Sequence, residues 1–195
     1  RGVTKDDILK WKIGFCKDGE YAGRVVIPSF NENGYANYYV ARSYGFEWPK
    51  YKNPPASRDI IFNELYVNWN EDLVIVEGVF DAIKAGNGIP LLGSTLREGS
   101  ALFQAIVKNG NRVYLALDED ASKKTRSIIH LLQRYGVEVY EVDTSGVEDV
   151  GDMSKEDLLR QLQNKTPISC KDVTFRFFGL SLATINTIIS ILLSG

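Results

Sequence analysis

The amino-acid sequence predicts an α/β fold: a four-stranded parallel sheet flanked by helices, preceded by a small basic α+β part that contains a β-hairpin. Leu73-Val74-Ile75-Val76 is an unbroken apolar run, as expected of a strand buried on both faces. It breaks at Glu77-Gly78 into Val79-Phe80-Asp81-Ala82-Ile83-Lys84-Ala85, whose apolar residues fall at helical spacing. The alternation of strand and helix then repeats through residue 142, the pattern of parallel strands joined by right-handed crossovers. Ahead of it, Asn31-Glu32-Asn33-Gly34 separates two β-type runs, and Asn-Gly is strong hairpin chemistry.

Taken in order, residues 1–12 read as a helix. Thr4 can cap it, Asp6 and Asp7 suit its first turn, and Ile8, Leu9 and Trp11 give it an apolar side. Residues 13–21 are turn-rich, with Lys17-Asp18-Gly19-Glu20 as a tip. The hairpin strands are 24–30 and 35–42, and Pro28 assigns the first to an edge or a bulge. Residues 48–55 cannot be regular structure, because Pro49, Pro54, Pro55 and Asn53 interrupt them. After the Glu77 turn come a strand at 88–92, a turn at 93–96 holding Ser94 and Thr95, and a helix at 100–108. A strand at 112–117, a helix at 127–135 and a strand at 137–142 follow. Ile128, Ile129, Leu131 and Leu132 form the core side of that last helix. His130, the only histidine, has no second candidate ligand beside it and reads as structural.

The chain has 195 residues, 44% hydrophobic and 25% charged, an ordinary globular composition that allows one large domain or two small ones. With a net charge of −2, a nucleic-acid binder must keep its basic groups apart from its acids. Cys16 and Cys170 are too few and too far apart for a zinc site and read as free thiols of a reducing compartment. The charged start carries no signal peptide, and Arg1 in place of an initiator Met marks a piece of a longer protein.

Two acidic groups stand at strand ends. Glu77 follows the first parallel strand, at the end where open α/β sheets bind ligands, and Asp81 comes at i+4. The strand at 112–117 ends in Asp118-Glu119-Asp120, and residues i and i+2 on extended chain point one way, so Asp118 and Asp120 converge. Carboxylates gathered in this way repel one another unless a cation sits among them, and hard oxygen donors suit Mg²⁺, Mn²⁺ or Ca²⁺. Strand-end acids also serve as helix caps or lie in solvent, and Asp118 and Asp120 suit the positive end of a helix beginning near Ala121. Two such groups on strand–turn–helix units of one sheet favour the metal. A third acidic group is Glu148-Asp149-Val150-Gly151-Asp152.

The cations cluster elsewhere. Arg42, Lys50, Lys52 and Arg58 lie within seventeen residues, with Trp48 and Tyr51 interleaved. Cations for phosphates and flat rings for bases suit single-stranded nucleic acid or nucleotides. A solvated loop whose rings pack on the sheet would have the same composition.

These residues carry a family resemblance. Val76-Glu77-Gly78-Val79-Phe80-Asp81, with Leu117-Asp118-Glu119-Asp120 downstream, resembles the acidic signature of the TOPRIM fold. That fold is shared by bacterial-type primases, topoisomerases, some nucleases and recombination mediators. Gly23-Arg24-Val25-Val26-Ile27-Pro28 precedes a hairpin ending in Ala41-Arg42, and Pro49-Lys50-Tyr51-Lys52-Asn53 leads on through residues 61–66. In this order the motifs are similar to the RNA polymerase core of bacterial and phage (DnaG-like) primases, over roughly residues 20–150. The resemblance implies a TOPRIM sheet of order 2-1-3-4, which sets the Glu77 and Asp118 strands side by side. It implies that Glu77, Asp118 and Asp120 are catalytic and hold Mg²⁺ or Mn²⁺ together with Asp81 and Asp149. The family's third acidic motif is often Asp-Pro-Asp; Asp149 is the match here, and Asp152 suits the cap of a helix at 155–162. Template and nucleotide contacts fall on Arg42 and Lys50, and with them Arg24, Tyr51, Lys52 and Asn53.

The implied activity is synthesis of short RNA primers from ribonucleoside triphosphates on single-stranded DNA, by metal-dependent phosphoryl transfer. The implied partners are a replicative helicase and a zinc-binding domain outside this chain, in the cytoplasm of a bacterium or of a phage host, with no membrane. On this reading residues 1–70 are a basic N-terminal subdomain, 71–152 the TOPRIM catalytic domain and 153–195 a helical segment. The uncharged stretch 178–193 is long enough to raise a membrane question, but its recurring Ser, Thr and Asn favour a packing helix or an oligomer contact. A TOPRIM nuclease using the same acids, and a non-catalytic nucleic-acid-binding TOPRIM protein, remain as alternatives. A topoisomerase would need a tyrosine in a further domain for which there is no room.

Overall fold

The computed structural model describes residues 2–118, 121–143 and 160–161. Helix α1 (Lys5–Lys10) starts at a reciprocal cap: Asp7 N donates to Thr4 Oγ1, and the Asp7 carboxylate accepts from Thr4 N. Trp11 just after it is buried, whereas Ile8 and Leu9 are exposed, so the apolar side expected of this helix narrows to one ring.

The stretch read as turns contains a strand, β1 (Gly14–Cys16). Three residues are too few for an alternation to register. It pairs antiparallel with β2 (Arg24–Phe30), which pairs with β3 (Ala36–Ser43), so the hairpin is part of a three-stranded sheet of order β1-β2-β3. Pro28 lies past the end of β1, where β2 has only β3 beside it, and the register shifts at Ser29/Phe30, in keeping with an edge or bulge.

The second sheet is built from β4 (Leu73–Val76), β5 (Gly88–Pro90), β6 (Val113–Ala116) and β7 (Val139–Glu141). It is parallel throughout, in the order β5-β4-β6-β7, so the first and third of its strands are neighbours as expected. Helices α2 (Val79–Ala85), α3 (Ala101–Asn109) and α4 (Ser122–Arg134) connect them. The start of α4 precedes the expected residue 127 because its first turn, Ser-Lys-Lys, carries no apolar residue to mark it.

The period-two pleat divides the core. Leu73, Ile75, Val113, Leu115 and Val139 face one way and pack on Leu102, Phe103 and Ile106 of α3 and Ile128, Ile129 and Leu132 of α4. Val74, Val76, Tyr114, Ala116 and Tyr140 face the other way. There they meet α2 and the N-terminal residues Trp11, Ile27, Tyr38, Val40 and Phe62. The antiparallel sheet therefore takes part in covering one face of the parallel sheet, and residues on both sides of the expected boundary at 70/71 share one core.

Two residues hold this arrangement. Asn63, buried and in a left-handed conformation (φ 55°), gives its backbone N–H to Ser29 Oγ and takes one from Phe30 N, tying the end of β2 to the segment before β4. A Cβ on Gly88 would lie 2.7 Å from Ala82 Cα, so only glycine lets α2 lie this close on β5.

His130 is exposed on α4. Cys16 is a free thiol. Among the described residues no helix is long and apolar enough to cross a membrane. Glu119, Asp120, Asp149, Asp152, Cys170, most of the expected helix at 155–162 and the stretch 178–193 lie outside the described residues.

Candidate active site

The register Val76↔Ala116 brings the carboxyl ends of β4 and β6 together, and the chain enters the acidic turns directly beyond them. Gly78 stands at the start of α2, and its N–H donates to Asp81 Oδ2 at 3.0 Å. Asp81 is buried (5% exposed), so one of its oxygens caps the helix. Glu77, Asp81 and Asp118 all line one cavity of about 430 Å³.

The same cavity is lined by Lys50, Tyr51, Asn53 and Arg58. The irregular loop expected at 48–55 is pinned to β3 there. Ser43 N donates to the Lys50 carbonyl and Lys52 N to the Ala41 carbonyl, each at 2.9 Å, and Arg42 and Tyr51 form an antiparallel bridge. Asn53 Oδ1 accepts from Ala41 N at 3.3 Å. The loop is thus a short extension of the antiparallel sheet, aimed at the acids by the shared core beneath.

Three of the expected contact residues stand elsewhere. Arg24 is buried (3% exposed) beneath the loop, where Nη1 donates to the Lys50 carbonyl at 3.4 Å. It supports Lys50 from below and does not line the cavity. Lys52 turns to the far side: Nζ lies 2.9 Å from Glu20 Oε1 and 5.1 Å from the centre of the Tyr21 ring. Arg42 sits between two cavity-lining rings, its guanidinium carbon 5.5 Å from the Tyr51 centroid and 5.2 Å from that of Phe80. Its Nη1 is buried with no hydrogen-bond partner among the described residues.

Two cations escaped the sequence reading as site residues. Lys124 Nζ lies 2.8 and 3.0 Å from the two carboxylate oxygens of Glu77, both side chains only about one-fifth exposed. A signal for it exists: the first turn of α4 holds lysines and no acid, against the helix dipole, so a lysine there needs a partner. Arg58, counted among the loop cations but given no role, lines the cavity and donates from Nη1 to the Leu92 carbonyl at 3.2 Å. Ser94 and Thr95 line a separate cavity of about 120 Å³.

For a divalent ion the donors are of the right chemistry, three carboxylates around one cavity. Yet Glu77 already meets Lys124 and Asp81 caps Gly78. Among the described residues no group of three or more His, Cys, Asp or Glu is close enough to hold an ion. Asp120, the expected fourth donor, is outside them.

No protein-family model matches the chain. It is 30% identical over 137 residues to the DNA primase of Thermotoga maritima, a match covering 60% of this chain and 24% of that protein. The chain thus spans about a quarter of the length of that relative. Among solved structures it superposes on the Aquifex aeolicus primase (zinc-binding and RNA polymerase domains) with a TM-score of 0.73 and 22% identity, over 86% of this chain and 54% of that one. The DnaG primase catalytic domain bound to single-stranded DNA gives 0.72 and 17%, over 85% and 69%. The sheet order, the antiparallel sheet against its face and these superpositions agree: the chain has the TOPRIM fold, elaborated as it is in the catalytic cores of bacterial primases.

Proposed function

We propose that this chain is the catalytic core of a DNA primase, joining ribonucleoside triphosphates into short RNA primers on single-stranded DNA. The observation that carries the reading is the shared cavity: strand-end acids Glu77, Asp81 and Asp118 on one side, and Lys50, Arg58, Tyr51 and Asn53 on the other. The lining cations come from the loop before β4 and the acids from the strand ends, while Lys124 of α4 pairs with Glu77. The likeness to the Thermotoga maritima DNA primase and to a DnaG catalytic domain bound to single-stranded DNA supports the same reading.

On this reading Lys50 and Arg58 hold phosphates, Tyr51 offers a ring to a base, and the Tyr51–Arg42–Phe80 stack keeps the two sides of the cavity in register. Glu77, Asp81 and Asp118, with Asp120 and Asp149, would hold Mg²⁺ or Mn²⁺. When bound, such an ion supplies positive charge to the triphosphate and acidifies the attacking hydroxyl. Lys124 must then share or release Glu77. A zinc-binding domain and a replicative helicase would be supplied from outside this chain, in the cytoplasm.

The test is incubation with single-stranded DNA, labelled ribonucleoside triphosphates and Mg²⁺ or Mn²⁺, with Glu77→Gln as control. Glu77-dependent primer synthesis is the expected result. Glu77-dependent shortening of the DNA would replace the reading with a nuclease. Binding without chemistry, even with the zinc-binding domain and helicase added, would make this a non-catalytic nucleic-acid-binding protein. The Lys124–Glu77 pair favours that second reading, since it neutralises the acid that chemistry needs.

A further inference from the structure

Four rings stand in solvent on β1 and on the loop that leads to Lys50. Phe46 is fully exposed (105%), Trp48 88%, Tyr44 63% and Phe15 50%. Rings this open forgo the burial that ordinarily recovers their apolar area.

The loop that displays them is tied. Ser43 Oγ donates to Glu47 Oε2 at 2.7 Å and accepts from Gly45 N at 3.2 Å. Tyr44 N donates to the Gly23 carbonyl at 3.3 Å, and Ser43 N closes the loop onto the Lys50 carbonyl. Phe15, on β1, meets Tyr44 edge-on with ring centres 5.0 Å apart. The rings are therefore presented by a closed turn.

In sequence the loop leads to residues that line the cavity. Trp48 precedes by two residues Lys50, which lines it, and Tyr51, itself 44% exposed, is a lining ring. Every exposed large apolar side chain of residues 43–51 is aromatic: Tyr44, Phe46, Trp48 and Tyr51. The one acid among them, Glu47, is exposed and accepts from Ser43 Oγ. Exposed rings followed directly by the cavity-lining Lys50 and Tyr51 match the stacking platforms of single-strand binders, where any base offers a flat face.

We propose that Tyr44, Phe46 and Trp48 form a stacking track for single-stranded nucleic acid, continuing the template path out of the cavity over the edge of the antiparallel sheet. The proposal rests on the primase reading and says where the template runs beyond the reaction centre.

The test is binding of a fluorescent oligothymidylate of about twelve nucleotides to wild type, Trp48→Ala, Phe46→Ala and Lys50→Ala, at several salt concentrations. Melting temperatures check that these exposed replacements leave the fold intact. Loss of one stacking ring should weaken binding about fivefold or more. Because no phosphate contact goes with it, the salt slope should stay at the wild-type value, whereas Lys50→Ala should flatten it by about one unit. Trp48 emission should be quenched on binding in wild type and Phe46→Ala, and the change should be absent from Trp48→Ala, which keeps Trp11 and Trp69. If both ring variants bind as tightly as wild type while Lys50→Ala binds more weakly, the track does not exist, the rings face a protein partner, and the primase reading stands. If wild type binds no oligothymidylate, both readings fall together.

Discussion

The Lys124–Glu77 pair is the most consequential contact that the site contains, and Lys124→Met isolates it. Unit charges about 4 Å apart attract by about 4 kcal/mol at the effective dielectric of a protein surface. Drawing two side chains, here only 22% and 21% exposed, away from water takes back much of this. Exposed pairs are worth about 0.2–1 kcal/mol, and removing one partner of a fully buried pair costs about 3–5. With both carboxylate oxygens engaged and partial exposure, a loss of about 2 kcal/mol is expected, partly from the Glu77 charge left facing Asp81 and Asp118. Urea unfolding reads this as a lower midpoint at unchanged m-value. Glu77→Gln added to Lys124→Met should recover most of the loss, giving a coupling of about 1–2 kcal/mol in the double-mutant cycle. Mn²⁺ should stabilise Lys124→Met more than wild type, because the vacated carboxylate no longer exchanges one cation for another. Additive single effects, with Mn²⁺ responses equal in the two proteins, would show that Lys124 neither holds Glu77 nor competes with a metal there.

Three further outcomes are expected. In synthesis assays Glu77→Gln should lower turnover far more than template affinity, while Lys50→Ala should do the reverse and recover at saturating template; parallel losses would mean that acids and cations do not serve separate roles. Gly88→Ala should cost about 1–3 kcal/mol in thermal or urea unfolding, since its Cβ would meet Ala82 backbone atoms at 2.7 Å and lift α2, which carries Phe80 and Asp81; a neutral effect would mean that α2 yields freely. Glu64 has its carboxyl raised above the usual range by burial and then by the Glu32 charge. Its contribution to stability is therefore present below the unfolded value near pH 4 and is lost as pH rises through the raised folded value. Glu64→Gln should be more stable than wild type at pH 7, with the gain vanishing below about pH 4, and a gain that persists in acid would contradict this origin.

Some of this protein was readable without a partner in view. Leu73–Val76 announces itself because a strand covered on both faces must be apolar at every position. The acids at the ends of β4 and β6 stand out because the chain turns from apolar to charged within one residue. The hairpin is written in Asn-Gly and the first helix in Thr4 and Asp7. Each of these signals is local: a pleat, a cap or a turn fixes its residue types within a few positions.

Tertiary structure decided what those signals could not. β1 exists because β2 offers it an edge, and its three residues carry no pattern of their own. Arg24, Lys52 and Lys50 look alike in sequence, yet one is buried, one binds Glu20 thirty-two residues away and one lines the cavity. Lys124 reaches Glu77 across forty-seven residues only because β4 and β6 are neighbours and α4 returns beside them. The antiparallel sheet helps cover the β4 face because Trp11, Ile27, Tyr38, Val40 and Phe62 meet Val74 and Val76 in one core. Hydrophobic periodicity names the face that must be covered, and only the packed chain determines what covers it and which charges that packing brings together.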